Sequence, residues 1–129
     1  MNDTTRKDSP FKHWKLATDI DDVLWLSIDR QGESANSLSL EVLSELGVII
    51  DELEKNPPAG LVLQSGKPGT FIVGADVREF DGYNNAEIAS DGIDQVHRLF
   101  NRIEALTFPK VVAIDGYCLG GGLEIALAF

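Results

Sequence analysis

KVVAIDGYCLGGGLEIALAF, residues 110–129, joins a strand-like apolar run to an apolar helix through three consecutive glycines. Glycine lowers helix stability by about 1 kcal/mol relative to alanine, so three of them at a helix start need an explanation. Without side chains, Gly120, Gly121 and Gly122 let the backbone approach a ligand closely. The first N–H groups of a helix lack intrahelical partners and lie at the positive end of its dipole. The segment therefore predicts bare backbone donors aimed at a bound group.

A second turn of the same design is FIVGADV, residues 71–77, in which a short apolar run leads into glycine and alanine. Small residues at the end of a strand again leave the backbone accessible. Two N–H groups that converge from two such turns would form an oxyanion hole. Each donor of an oxyanion hole contributes about 3–4 kcal/mol to the stability of a transition state. The pair of turns therefore predicts a site that stabilises negative charge on an oxygen atom.

A single carboxylate, Glu124, follows the glycines within the first turn of the predicted helix. A carboxylate at this position is favoured by the helix dipole, which would make it a capping residue only. Its neighbours Leu123, Ile125 and Leu127 are apolar, and their contact would desolvate the carboxylate partly and prepare it for proton transfer. The sequence pattern leaves both interpretations open.

Composition and charge indicate a soluble globular domain and argue against nucleic-acid binding. The chain has 129 residues, of which 43% are hydrophobic and 25% charged, and its net charge is −10. Such a charge repels phosphates. One cysteine, Cys118, excludes an internal disulfide and suits a reducing compartment. The N-terminus lacks the apolar core of a signal peptide, and no apolar run reaches the roughly 18 residues of a membrane span. We expect a cytoplasmic protein.

The spacing of apolar residues predicts elements in the order β-β-α-β-(β)-α-β-α, which indicates an α/β fold with some parallel pairing. We expect strand 60–65 to be covered on both faces and strand 111–115 to be buried. Residues 1–10 are polar and are expected to form a flexible N-terminus. The predicted elements are strands near 13–19 and 23–29, a helix from Leu38 to the NPPAG stop, strands at 60–65 and 71–73, a helix over 86–106, a strand at 111–115 and a helix from Gly121 or Gly122.

The motifs FIVGADVREF, residues 71–80, and KVVAIDGYCLGGGLEIALA, residues 110–128, together resemble the crotonase superfamily of enoyl-CoA hydratases and isomerases. Their form is most similar to the N-terminal hydratase module of multifunctional fatty-acid-oxidation α-subunits. The resemblance extends from about Leu24 to the last residue and implies a crotonase-like spiral of ββα units. Residues 11–129 would be the N-terminal part of that domain. The family's second catalytic glutamate and the helices that cover its acyl pocket are then expected outside this sequence.

The resemblance also implies roles for individual residues. The N–H groups of Ala75 and Gly121 would hold the thioester oxygen, and Glu124 would be one of two glutamates that orient water. Asp76 could contact substrate or cap the following turn. Lys67 and Arg78 could meet the CoA phosphates or be solvated surface residues. The residues expected to bind acyl-CoA are Ala35, Asn36, Val73, Gly74, Asp76, Val77, Leu119 and Gly120.

Hydration of 2-enoyl-CoA in fatty acid β-oxidation is the implied activity, and we expect this chain alone to be weakly active or inactive. Isomerisation, another crotonase reaction, or a non-catalytic acyl-CoA-binding or assembly role are the alternatives. No cofactor is implied, because coenzyme A is part of the substrate and NAD would require a downstream dehydrogenase domain. His13 and His97 lack metal-ligand spacing, so no metal is expected. The implied partners are the acyl-CoA substrate and either further copies of the chain or a fatty-acid-oxidation complex, with no nucleic acid or membrane.

Overall fold

The structure, a computed structural model, describes residues 10–76, 79 and 86–129, with side chains in the last range from residue 91 onward. The predicted flexible residues 1–10 lie almost wholly outside this part of the chain and stay a prediction. The elements in the described ranges are β1 (Trp14–Thr18), β2 (Val23–Ile28), α1 (Leu40–Lys55), β3 (Gly60–Ser65), β4 (Thr70–Ile72), α2 (Ala86–Glu104), β5 (Lys110–Val112), β6 (Tyr117–Cys118) and α3 (Gly121–Leu127).

The strands form two sheets through which the chain winds repeatedly in the same order. The larger sheet has the strand order β1-β2-β3-β5, with β1 antiparallel to β2 and the other neighbours parallel. The smaller sheet pairs β4 with β6 in parallel, and an isolated parallel bridge adds Leu38 beside Ala75. Each turn of the chain thus passes one strand of the larger sheet, one extended segment of the smaller sheet and one helix. The predicted parallel α/β architecture is confirmed in this spiral form.

Local side-chain hydrogen bonds fix the hairpin between β1 and β2. Asp19 Oδ1 accepts hydrogen bonds from the N–H groups of Asp21 and Val23, at 2.9 and 3.0 Å. Its other oxygen accepts from the indole of Trp25 at 2.9 Å. These bonds, that of Trp25 first, hold the pKa of Asp19 below its ordinary value. Asp22 takes the left-handed conformation that the turn requires, with φ of 60°.

Local residues at both ends of the first helix determine where it begins and ends. Ser39 caps it, because its hydroxyl accepts a hydrogen bond from Val42 N–H at 3.1 Å. The helix ends at Lys55, directly before Asn56 and Pro57. Its buried face packs on the larger sheet, where Trp14 donates its indole N–H to the Val42 carbonyl at 2.9 Å. The predicted helix from Leu38 is therefore confirmed, with its start two residues later.

One face of the larger sheet carries the core, while the opposite face is less covered. The core side chains of this sheet alternate along the strands and include Trp14, Leu24, Leu26, Ile28, Leu61 and Leu63. On the other face Trp25 is 38% exposed and Val111 57% exposed. The predicted burial of strand 111–115 is therefore wrong, because β5 lies at the edge of the described sheet and pairs there with β3 alone. Strand 60–65 is likewise buried mainly on its core face.

Asn36 joins the two sheets through a fully buried side chain. Its amide N–H₂ donates to the carbonyl oxygens of Ile28 and Phe71, at 3.1 and 2.9 Å, and to the hydroxyl of Ser65 at 3.0 Å. Its carbonyl oxygen accepts from Arg30 N–H at 2.9 Å. The ends of β2 and β3 and the strand β4 therefore meet at one side chain, whose donors and acceptor are all used.

Close backbone approach explains why α3 requires glycine. A Cβ atom at Gly122 would lie 2.5 Å from the carbonyl oxygen of Ile72 and 2.8 Å from its Cβ. Gly122 is buried against β4, so the helix and the strand touch without an intervening side chain. At Gly47, in the middle of α1, a Cβ atom would meet nothing within 4 Å. The two glycines therefore differ in what they contribute to packing.

We expect Asn36→Ala to lower the free energy of unfolding by about 3 kcal/mol, because it leaves buried polar groups such as Arg30 N–H without a partner. Urea unfolding followed by circular dichroism measures this change. Asn101→Ala, on the exposed face of α2, is the matched control and should change stability by less than about 0.5 kcal/mol. A loss below about 1 kcal/mol for Asn36→Ala would contradict the central role of this amide.

We expect Gly122→Ala and Gly47→Ala to change stability in opposite directions. The added methyl group at Gly122 overlaps the Ile72 backbone and should destabilise the fold by about 2 kcal/mol. The same methyl group at Gly47 meets open space in a helix and should stabilise it by roughly 0.5–1 kcal/mol. Urea denaturation of both variants measures the difference, and a stable Gly122→Ala variant would show that α3 does not need this close contact.

Candidate active site

The two glycine turns predicted from the sequence lie side by side. Hydrogen bonds from Leu38 N–H to Gly74 O and from Asp76 N–H to Leu38 O, at 2.8 and 3.1 Å, fix one edge of the first turn. Because N–H groups alternate along an extended backbone, the N–H of Ala75 lies on the opposite edge. Gly121 stands there, and a Cβ atom built on it would be 3.7 Å from the Ala75 nitrogen.

Neither of these two N–H groups donates to another backbone group within the described residues. The neighbouring amides are used: Leu119 N–H donates to Ile72 O at 3.0 Å, and Gly122 N–H to Leu119 O at 2.8 Å. Gly121 is the first residue of α3, where an N–H has no intrahelical partner. Two adjacent donors are therefore available for an external acceptor, as an oxyanion hole requires.

A cavity of about 290 Å³ brings the three predicted catalytic residues together. Ala75, Gly121 and Glu124 all line it. Its other walls come from the segment before α1, from α1 and from one face of α2, and most of these side chains are apolar. The remaining lining residues are Leu38, Leu40, Leu43, Asp76, Glu79, Gly92, Ile93, Val96, His97 and Phe100.

Glu124 lies in the first turn of α3, where its own N–H donates to Gly120 O at 3.1 Å. Its side chain is exposed along the cavity. The interpretation of Glu124 as a partly desolvated carboxylate is therefore wrong for this structure. The apolar neighbours that would have covered it, Leu123 and Leu127, are themselves 49% and 74% exposed. The carboxylate remains accessible to water and to a bound molecule.

The predicted acyl-CoA-binding residues separate into four groups, the last of which is Asn36 and Asp76. Gly74, Leu119 and Gly120 lie together beside the two donors, since a Cβ atom at Gly74 would be 3.7 Å from Leu119 O. Gly120 caps α3 with a φ of 50°. Ala35 is half-buried and Val73 37% exposed, and neither lines the cavity. Val77 lies outside the described residues.

Two further predicted contacts have structural partners instead. Asn36 is fully buried and hydrogen-bonded to the protein, so its side chain offers substrate no surface, and the predicted contact is replaced by a structural role. Asp76 is 7% exposed, and its carboxylate forms an ion pair with Arg30 at 2.8 Å. It lines the cavity as one half of a charge pair.

Sequence reasoning missed the apolar wall of the cavity and two of its polar residues. Ile93, Val96 and Phe100 follow helical spacing, which predicts an apolar face but does not tell a packed core from a cavity wall. His97, to which the sequence assigned no chemistry, also lies on the wall. Glu79 caps α1, because its Oε1 accepts from Leu40 N–H at 2.8 Å.

The described residues contain no group of three His, Cys, Asp or Glu side chains that could hold a metal ion. In the same part of the chain, no helix has the length and apolar character needed to cross a membrane.

Comparison with known proteins places this geometry in a family. Residues 21–129 match the family model of enoyl-CoA hydratase/isomerase. The α subunit of the fatty acid oxidation complex of Idiomarina loihiensis is 45% identical over 109 residues, covering 84% of this chain and 15% of the relative. The corresponding subunit of Aliivibrio fischeri is 43% identical over 112 residues, covering 85% of this chain and 16% of the relative.

A crystal structure of an enoyl-CoA hydratase from Bacillus anthracis shares the fold, with a TM-score of 0.79 and 29% identity. The match covers 90% of this chain and 45% of that hydratase, so the chain spans about half the length of this solved relative and a smaller part of the α subunits. The crotonase-like fold expected from the two motifs is confirmed, and the chain belongs to the enoyl-CoA hydratase/isomerase family.

Proposed function

We propose that this chain forms the thioester-binding part of an enoyl-CoA hydratase that acts on 2-enoyl-CoA in fatty acid β-oxidation. The observation that carries the proposal is the pair of adjacent N–H groups, Ala75 and Gly121, on a cavity that also contains Glu124. The similarity to fatty acid oxidation α subunits supports the pathway.

The geometry suits stabilisation of an enolate. The thioester oxygen would accept hydrogen bonds from Ala75 and Gly121, and these bonds strengthen as negative charge moves onto that oxygen. Water gives one proton to the Glu124 carboxylate as its oxygen bonds to C3, and the electron pair of the double bond moves toward the thioester oxygen. C2 then takes up that proton as the carbonyl re-forms, so the elements of water are added and the carboxylate is regenerated.

Glu124 is the carboxylate best placed to orient the attacking water. Among the described residues two other acids line the cavity, but Arg30 pairs with Asp76, and Glu79 binds the N-terminus of α1. Glu124 is exposed to the cavity and near the donors. General acid–base assistance of this kind contributes roughly 10²–10⁴-fold to a rate.

The apolar wall of the cavity would receive the acyl carbons, and the reaction needs no cofactor beyond the coenzyme A of the substrate. We place the reaction in the cytoplasm, where a single free cysteine such as Cys118 remains reduced. Isomerisation through the same enolate is the alternative chemistry, because it uses the same two donors.

A role in assembly is the second candidate function. Several large apolar side chains on β5, β6 and α3 and in the segments between them are about half exposed or more, which is typical of a surface that another protein covers. We therefore propose further copies of the chain or a fatty-acid-oxidation complex as partners. The side chains that form this surface are Val111, Ile114, Tyr117, Leu119, Leu123 and Leu127.

Gly121→Pro tests the proposed oxyanion hole, because proline removes one N–H and is well tolerated at the first position of a helix. Gly121→Ala is the matched control, since it keeps the N–H, and its Cβ would lie 3.2 Å from the flexible end of Leu38 and in ordinary contact, at 3.7 Å, with the Ala75 nitrogen. We expect Gly121→Pro to lower the rate of crotonyl-CoA hydration about 10²-fold or more relative to Gly121→Ala. Equal rates would contradict the proposal and favour a pure assembly role.

Glu124→Gln tests the assigned water-orienting group separately from thioester binding. We expect the hydration rate to fall about 10²-fold or more, while the affinity for crotonyl-CoA changes little, because both backbone donors remain. Steady-state hydration and calorimetric titration with crotonyl-CoA measure the two quantities. Glu104→Gln, at the exposed end of α2, should change neither. Unaltered hydration in Glu124→Gln would remove this residue from the mechanism.

A further inference from the structure

We propose that Arg30 is a positioning residue for the oxyanion hole: it holds the turn that carries the Ala75 N–H and neutralises the Asp76 carboxylate beside it. This inference rests on the proposed function, because it concerns the same pair of backbone donors. Arg30 lies in the loop after β2 and does not line the cavity.

Arg30 and Asp76 form a buried ion pair. Arg30 Nη1 lies 2.8 Å from Asp76 Oδ2, and the two side chains are only 13% and 5% exposed. Charges are buried at this level only when they are paired, because removal from water costs several kcal/mol per ion. By contrast, Arg102 pairs with Asp51 and Glu54 at the surface, where the side chains are 37–57% exposed and such pairs contribute little.

The position of Arg30 is itself fixed by the loop that it spans. Its backbone N–H donates to Asn36 Oδ1 at 2.9 Å, and its Nη1 also donates to the hydroxyl of Ser37. The backbone of Arg30 is therefore attached to residue 36 and its guanidinium to residue 37, immediately before the residue that pairs with the first turn. A guanidinium that is held on both its backbone and its side chain approaches its partner in a set direction.

The contacts that hold the turn around Ala75 include three among the described residues. Leu38 contributes two of them, through its bonds to Gly74 O and Asp76 N–H. The ion pair between Asp76 and Arg30 is the third, and it involves the residue directly after the donor. Loss of this third contact weakens the hold on Asp76 and, through it, on the peptide group that precedes it. Displacement of a catalytic group by about 1 Å costs about 10²-fold in rate.

Charge gives the pair a second effect. Asp76 lines the same cavity as Ala75, Gly121 and Glu124. Without Arg30, the negative charge of the Asp76 carboxylate would act more strongly against the charge that develops on the thioester oxygen, since like charges repel. Arg30 cancels that charge from outside the cavity.

The test uses the absorption spectrum of a bound chromophoric thioester, cinnamoyl-CoA. Hydrogen bonds to its carbonyl oxygen draw electrons along the conjugated system and shift its absorption to longer wavelength. The shift at saturation therefore measures how well the two N–H groups are aimed and how the local charge supports them, independently of the hydration rate. Circular dichroism of each variant checks that the chain is folded.

We expect Arg30→Gln to lose at least about half of the wild-type shift and to bind cinnamoyl-CoA about tenfold more weakly. The double variant Arg30→Gln/Asp76→Asn carries no uncompensated charge, so it should recover part of the shift but not all, because the third contact remains weakened. Arg30→Lys keeps the charge and should retain more of the shift than Arg30→Gln. Arg102→Gln, the matched control at an exposed ion pair, should leave the shift unchanged.

A full shift in both Arg30→Gln and the double variant would overturn the inference and leave the proposed function standing. Equal, reduced shifts in these two variants would overturn the neutralising effect and support positioning alone. If Arg30→Gln does not fold, the double variant decides the question, because an unchanged shift in it overturns positioning. Absence of any binding or shift in the wild-type chain would overturn the proposed function together with this inference.

Discussion

The side-chain amide of Asn36 is the interaction on which the arrangement of the two sheets depends. It satisfies carbonyl or hydroxyl oxygens at the ends of β2, β3 and β4 at once, in a site with no exposure to water. An apolar residue of similar size would leave those groups unpaired, and a carboxylate would place like-charged oxygens against them. The small sheet is therefore held at a fixed distance from the large sheet. The turn at Ala75 follows β4 directly and takes its position from this junction.

The position of α3, which forms the other half of the site, depends on direct contact between its backbone and strand β4. Gly122 brings α3 against the Ile72 carbonyl, and Gly120 allows the left-handed φ that starts the helix there. Gly121 lies between them and beside Ala75, since a Cβ atom built on Gly121 would be 3.7 Å from the Ala75 nitrogen. Each glycine of the run therefore has its own role: Gly120 caps the helix, Gly121 provides an N–H donor, and Gly122 makes a packing contact. The loss in helix propensity is offset by a close contact between the helix and the strand.

The sequence predicted most elements because their signals are local. Each helix is specified by residues within or next to it: α1 by the Ser39 cap and the stop at Asn56, and α2 by its apolar spacing. The structure confirms both helices. Strand β6 was missed, because two residues carry no periodicity, and the bridge from Leu38 to Ala75 joins distant segments. The two N–H groups proposed as oxyanion donors could be predicted, because glycine at the turns indicates that the backbone approaches a ligand closely. The roles of Asn36 and Arg30 could not, because both depend on partners far along the chain.

Three carboxylates line the described part of the cavity, and their different surroundings suit them to different roles. Asp76 is neutralised by Arg30, and Glu79 is held by the Leu40 N–H at the start of α1, so both are engaged by the protein before any ligand arrives. Glu124 is exposed to the cavity and stands one helical turn from the Gly120 cap. A base that orients water must keep a free lone pair toward the substrate, whereas a carboxylate beside an oxyanion must have its charge cancelled. In the proposed mechanism, the cavity combines an acceptor for water with donors for an enolate, and the pairing of Asp76 and Glu79 among the described residues is compatible with both tasks.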